Sequence, residues 1–360
     1  MNDQVRLHYE TWVYPRYPLA ASVRRSDTYA LNLDALYARF NGTLPPAAAR
    51  RILLAGCGSF SPYPTAVANP GVPVTALDLS AANLRRARLH AWMHGRFGIS
   101  FEQGDLMDPA AAQGGYGFID SFGVIHHLAD PLEGLRALER RLAPGGILRL
   151  MVYSRGARRV VESARRALRL AGVRDMARLK ALLRRSPPGS RLGHAVEASG
   201  EGGGDAGLAD ALLHPRACAY GIDGLMAMVG ETGLVPLRFA HSRALAEPAA
   251  EVARLRGLEQ AGGPVPNFVL YLGRDPRGGC GLAPDALLML NPALRHDVGA
   301  LRLAPLAVPP RLGIENPVLG FADRRFLRRF RTPVPVSALT PADRERVGAF
   351  LDALFVIPFR

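Results

Sequence analysis

Lysine is almost absent from this chain. Lys180 is the only one among 45 Lys and Arg residues, so nearly all of the formal charge of +14 comes from arginine. An excess of positive charge points toward nucleic acid or another polyanion. An Ala-, Arg-, Gly- and Pro-rich chain with one lysine also fits a GC-rich genome, and the arginine excess is read here mainly as compositional. Cysteine is scarce too. Cys57, Cys218 and Cys280 are widely spaced and odd in number, which excludes a disulfide framework or a zinc site and suggests a reducing compartment. Long apolar runs are missing, and none approaches the ~20 residues of a membrane span. The leading MNDQVRLHYE has no apolar signal-peptide core. The expectation is a cytoplasmic protein with no membrane partner and no metal.

What is present can fill a proper core: 360 residues, 48% of them hydrophobic. That length suits two domains, or one large α/β domain with additions. The chain is organised around Arg51–Ser80. Ile52, Leu53 and Leu54 form an apolar run of strand length, and a tight Gly56-Cys57-Gly58 turn follows. A short helix ends at Pro70-Gly71, and a second strand, Val74–Leu77, closes on Asp78. A strand, a glycine turn, a helix and a strand tipped with a carboxylate make up the nucleoside-binding unit of α/β folds. Gly56 and Gly58 allow a sharp turn and close approach of a ligand. Asp78 is placed to accept hydrogen bonds from ribose hydroxyls. Ser61 stands where a dinucleotide fingerprint would want its third glycine, which disfavours an NAD-type oxidoreductase.

Strand–helix alternation continues from there. Ile99–Gln103 reads as strand three, ending at Gly104-Asp105-Leu106, and Phe118–Ile125 as strand four, running into His126-His127. A helix over Pro131–Leu142 precedes Ala143-Pro144-Gly145-Gly146, a turn that no strand is expected to continue through. Ile147–Tyr153 is strand five. A helix over Ile222–Gly233 and strands at Val235–Ala240 and Phe268–Gly273 complete a Rossmann-like, seven-stranded, mostly parallel sheet with helices on both faces. Residues 154–186 are helical in composition and strongly basic, and 186–207 read as a flexible loop.

Three regions follow: a leader and cap over 1–43, a main domain over 44–275, and a small C-terminal domain or lid over 276–360. The aromatics of the leader, HYETWVYPRYPL, either staple it to the domain or cap a pocket, and the staple is favoured. A helix is expected around Tyr29–Phe40. In the C-terminal region Thr340 caps a last helix with Pro341 at its first position.

Taken together, Ile52–Ser59 (ILLAGCGS), Val74–Ser80 (VTALDLS), Glu102–Leu106 (EQGDL), Phe118–Pro131 (FIDSFGVIHHLADP) and Leu142–Gly146 (LAPGG) resemble the class I S-adenosylmethionine-dependent methyltransferases. The tyrosine- and proline-rich leader and a late LHPR segment are similar to a bacterial subgroup. The resemblance implies S-adenosylmethionine as cofactor, with Gly56, Cys57 and Gly58 along its methionine part. It implies Asp78 on the ribose, Leu79 and Leu106 on the adenine ring, and Asp105 on the adenine amino group. Phe122 and Gly123 would line the methyl-donor pocket. His126 and His127 would face the acceptor, where either could remove a proton if the acceptor must lose one.

Two positions depart from the family pattern: Leu54 stands where many members carry an acid, and Phe60 where many carry glycine. The expected function is methyl transfer to a small-molecule acceptor, with RNA held by the arginine clusters 155–185 and 324–331 as the other acceptor class. The alternative is a catalytically inactive regulatory or RNA-binding protein on the same fold.

Overall fold

The computed structural model describes residues 3–200, 204–300 and 304–360. Its main sheet has seven strands: β1 (Ile52–Ala55), β2 (Val74–Asp78), β3 (Ile99–Gln103), β4 (Tyr116–Phe122), β5 (Leu142–Val152), β6 (Leu234–Phe239) and β7 (Phe268–Arg274). They lie in the order β3-β2-β1-β4-β5-β7-β6. The first five pair in parallel, whereas β7 runs antiparallel to both β5 and β6. All four residues of β1 are buried, as expected for a central parallel strand covered on both faces.

Helices α1 (Asp3–Thr11) and α2 (Leu33–Asn41) precede the sheet, and α3 (Pro62–Ala68), α4 (Ala81–Met93) and α5 (Pro131–Arg141) connect its parallel strands. Ser80 caps α4 by accepting from the Asn83 N–H, and Asp130 caps α5 through the Glu133 N–H. Between β5 and β6 lies a long helical insertion: α6 (Arg155–Leu170), α7 (Met176–Arg185), α8 (Arg191–Ser199), α9 (Asp205–Leu208) with a π turn over Ala209–Leu213, and α10 (Ile222–Gly230). Helix α11 (Pro248–Gln260) joins β6 to β7.

Three features differ from the sequence reading. Strand β5 does continue through Ala143–Gly146. Tyr116 pairs with Leu142 while Phe118 pairs with Ile147, so the extra residues bulge out between two paired stretches. Gly145 takes a positive φ of 74° in the bulge, and Tyr37 and Asn41 of α2 donate to the carbonyls of Pro144 and Gly145. The 186–207 stretch contains α8, capped by Ser190. Its Ala195 is buried with Leu192 and Val196 packed beside it, a short i, i+3, i+4 stripe masked by surrounding small residues; positions 201–203 lie outside the described residues. Strand four ends at Phe122, and Ile125–His127 form one turn of 3-10 helix.

The C-terminal segment adds β8 (Leu287–Leu290), α12 (Arg295–Gly299), α13 (Phe321–Leu327), β9 (Val334–Pro335), α14 (Pro341–Asp352) and β10 (Val356–Phe359), with its three strands ordered β10-β8-β9. Thr340 caps α14 and Pro341 opens it. The apolar face of this segment does not close on itself. Leu288, Phe330, Val347 and Phe355 share one buried cluster with Tyr29, Ile52, Phe118 and Tyr271. The Phe355 ring meets Tyr29 edge-on at a centroid distance of 5.4 Å.

That shared core gives an expected outcome. Phe355→Ala removes a fully buried ring, which should cost about 3–5 kcal/mol. Urea unfolding followed by near- and far-ultraviolet dichroism should show the whole chain losing stability in one transition. An unchanged main transition with a separate early one would contradict the shared core.

Candidate active site

The Gly56–Gly58 turn is fixed from several sides. Gly56 and Cys57 both donate to the Leu77 carbonyl at 2.9 Å. Gly58 donates to Asp78 Oδ2 at 2.7 Å, and Ser80 donates to Asp78 Oδ1 at 2.9 Å. Gly56 has φ 76°, and a Cβ there would lie 2.5 Å from a Val124 methyl carbon. At Gly58 (φ 57°) a Cβ would meet the Tyr14 carbonyl at 2.9 Å. Both glycines are therefore required by conformation and by close approach. Asp78 is 7% exposed. Burial raises its pKa despite the two backbone donors and Asn83, and Asp78 is among the residues that line the cavity.

The leader closes over this turn. Ser59 donates to the Tyr14 carbonyl at 3.0 Å, and Tyr14 N donates to Asn83 Oδ1 at 3.0 Å. Glu10 accepts from Ala81 N at 2.6 Å at the start of α4. Val5, Tyr9, Tyr14, Pro15 and Tyr17 of the leader all line the cavity. The aromatics thus staple and cap at once, a combination that the sequence reading had treated as alternatives.

The opposite end is built by the His126-His127 turn and by residues 205–220. Cys218 N donates to the His126 carbonyl at 2.9 Å, and Tyr220 N to the Tyr153 carbonyl at 2.9 Å. His127 Nδ1 donates to the Arg216 carbonyl at 2.6 Å. That bond fixes the proton on Nδ1 and leaves Nε2 as the acceptor of a neutral ring. Burial holds the His127 pKa below the ordinary histidine value. The LHPR segment seen in the sequence therefore supplies the carbonyl that orients His127. Asp210, 3% exposed, accepts from the Tyr9 hydroxyl at 2.8 Å. Burial and Asp210 push the Tyr9 pKa well up.

His8, Asp210 and His214 place ligand-type atoms within 4.8 Å of one another. His214 Nδ1 accepts from Arg216 N, so its neutral ring carries the proton on Nε2 and offers no lone pair there to a metal.

These parts enclose a cavity of about 370 Å³. All nine residues singled out for the cofactor line it: Gly56, Cys57, Gly58, Asp78, Leu79, Asp105, Leu106, Phe122 and Gly123. His127 lines it as well. His126 does not. It is 0% exposed, its ring tilted against Tyr153 at a centroid distance of 3.9 Å, with neither nitrogen partnered, which corrects the expectation that it faces an acceptor. Tyr9, one of the leader aromatics, lines the cavity, as do Asp210 and Asn267, which were not identified from sequence because nothing in their local spacing marks them. Phe60 turns its ring onto Tyr17 and His90, at 4.5 and 5.1 Å. Leu54 pairs in register with Asp120, which Arg149 holds through two 2.8 Å bonds. Neither departure obstructs the cavity.

The lining carries Asp78, Asp105 and Asp210, and no arginine or lysine among the described residues. Among the described residues, none of it comes from beyond Asn267, so the described part of the 276–360 segment takes no part in the cavity.

Residues 28–200 match the methyltransferase-domain family. An uncharacterized protein of Synechococcus sp. is 29% identical over 294 residues, covering 74% of this chain and 70% of that protein. A ubiquinone biosynthesis O-methyltransferase of Xanthomonas campestris is 34% identical over 155 residues, or 42% of this chain and 59% of that enzyme. The corresponding enzyme of Thiobacillus denitrificans is 30% identical over 127 residues, or 35% of this chain and 54% of the enzyme. The chain thus spans little more than half the length of these two enzymes. The structure of PKMT2 from Rickettsia typhi shares the fold, with TM-score 0.55 and 14% identity over 96% of this chain and 77% of that one. Residues 28–200 thus carry a methyltransferase domain, on the Rossmann-like fold of the class I S-adenosylmethionine-dependent methyltransferases. No helix of the described residues is long and apolar enough to cross a membrane.

The buried histidines make stability depend on pH. Burial holds His126, His127 and His214 below the ordinary value, and His8 down to about 4. The unfolded chain takes up these protons below about pH 6.5, and the fold refuses them. Their contribution is complete above that pH and is lost as pH falls, whereas the raised Asp78 works the other way with one proton. The unfolding free energy should drop between about pH 7 and pH 5, by up to about 1.4 kcal/mol per refused proton per pH unit, and the urea midpoint should fall with it. A midpoint constant over that range would contradict the neutral cluster.

Proposed function

We propose that this protein methylates a small-molecule acceptor whose nucleophilic atom carries a proton. The observation behind this reading is the charge of the cavity. In a chain of formal charge +14, the lining holds, among the described residues, three carboxylates, a neutral imidazole and no cation. Such a lining suits a cationic cofactor and a neutral or cationic acceptor, and opposes a phosphate.

In this reading Gly56, Cys57 and Gly58 pass along the methionine part of S-adenosylmethionine, Asp78 holds the ribose hydroxyls, and Leu79, Asp105 and Leu106 receive the adenine. When bound, the cofactor supplies a methyl group already activated on a sulfonium. The protein's own work is then positioning and exclusion of water. Phe122 and Gly123 shape the wall at the tip of β4. The leader covers the cofactor end. His127 Nε2 takes the acceptor's proton, its ring held by the Arg216 carbonyl, while Asp210 and Tyr9 hold a donor group of the acceptor. Regions 1–43, 44–275 and 276–360 are assigned as cap, methyltransferase unit and supporting segment.

The arginine clusters give RNA less support than their number suggests. Arg324 is buried, Arg328 donates to the Val298 carbonyl, and Arg329 forms a two-bond pair with Asp343. In the first cluster Arg158 and Arg165 are buried. An inactive fold is disfavoured by the open cavity beside Leu54 and Phe60. The similarity to ubiquinone biosynthesis O-methyltransferases covers part of each chain and leaves the acceptor atom open.

Titration calorimetry with S-adenosylmethionine and S-adenosylhomocysteine should show saturable binding, weakened roughly tenfold or more by Asp78→Ala, since hydrogen bonds to a charged group are worth about 1.5–3 kcal/mol each. No binding by the intact chain would favour the inactive alternative. Once an acceptor is in hand, His127→Gln should lower kcat by roughly 100-fold or more with cofactor affinity unchanged. An unchanged kcat would remove His127 as the base.

A further inference from the structure

Between Asp78 and Glu102 the chain contains no acidic residue, yet it carries Arg85, Arg86, Arg88 and Arg96. Most of this stretch is α4, whose inner face buries Leu84, Ala87, His90 and Ala91. Its outer face is unusual. Leu89 is 47% exposed, Trp92 51%, Met93 57% and, in the following turn, Phe97 72%. Leu89, Trp92 and Met93 follow the i, i+3, i+4 spacing that puts them on one side of the helix. Arg85 and Arg88 are exposed on the same helix, with the Arg88 guanidinium 5.2 Å from the Phe101 ring centre. The patch lies next to β3, the edge of the main sheet, and none of its residues lines the cofactor cavity.

We propose that this end of α4 and the turn to Phe97 form a docking surface for an anionic lipid bilayer. Trp, Phe, Met and Leu tips flanked by arginine are what an interfacial helix presents: apolar groups that enter the headgroup–acyl boundary and cations that meet anionic headgroups. A second copy of the chain is a poor occupant, because two patches with arginines and no carboxylate repel when face to face. Single-stranded RNA fits less well, because Leu89 and Met93 offer no ring for a base to stack on. The sequence had suggested no membrane partner on the ground that no segment spans a bilayer. Lying on one needs no spanning segment.

The test uses the full chain with vesicles of phosphatidylcholine alone or with phosphatidylglycerol added. Sedimentation should show binding to the anionic vesicles, weakening with salt. Trp92→Ser combined with Phe97→Ser should lower the partition roughly tenfold or more. Arg85→Glu with Arg88→Glu should do the same, at roughly fivefold per arginine removed. Arg166→Glu with Arg169→Glu, on the other basic helix, should change it much less. In a Trp12→Phe background, Trp92 fluorescence should shift to the blue on binding. Several results would each overturn the proposal: no binding to anionic vesicles, equal binding to both vesicle types, no loss in the α4 variants, or no Trp92 shift. So would dimerisation in solution that Trp92→Ser abolishes, or release from the vesicles only by RNA.

Discussion

One carboxylate ties the functional end of this molecule together. Asp78 accepts from the backbone of Gly58 in the glycine turn and from Ser80 at the start of α4. It also lies within 3.4 Å of Asn83 Nδ2. Asn83 in turn accepts from Tyr14 N, and the Tyr14 carbonyl accepts from Ser59 N. The loop from β1, the helix after β2 and the leader are thus held in one ring of hydrogen bonds. Buried polar groups of this kind are stable only when nearly every one finds a partner. The carboxylate that shapes the turn also lines the cavity, so structure and binding depend on the same group.

The second organising fact is segregation of charge. Arginine dominates the surface, while the cavity keeps carboxylates and neutral rings. Burial drives this separation. Burial first, with Arg165 nearby for all four and Arg158 for His126 and His127, favours the neutral forms of His8, His126, His127 and His214. A neutral imidazole with one nitrogen committed to a carbonyl can take a proton on the other, which a charged ring cannot.

Much of the glycine-turn end of the cavity was legible, because it is written in contiguous pieces. A glycine turn, a carboxylate at a strand tip and Gly104-Asp105-Leu106 each announce themselves locally, and the alternation of strands and helices places them on one sheet edge. The opposite end, around His127 and Asp210, was not legible, because it is assembled from distant segments. Tyr9 and Asp210 meet across 201 residues, and no local pattern records such a contact. His126 and His127 look equivalent in sequence. Only the fold separates them, by burying one ring and turning the other to the cavity. Helix α8 was hidden by its small residues, and the bulge in β5 by the Pro-Gly-Gly that ordinarily stops a strand. The C-terminal segment looked independent because prolines keep its elements short, yet its apolar face completes the core under the sheet.

The central claim is that the cavity between the glycine turn and the leader is where the cofactor binds, with the leader as its cover. Hydrogen–deuterium exchange with and without S-adenosylhomocysteine tests it directly. Amides of Gly56–Ser59, of Tyr14 and Tyr17 in the leader, and of Gly104–Leu106 should slow together when the ligand is present. Slowing confined to other regions, or a leader that exchanges equally fast in both states, would contradict the account.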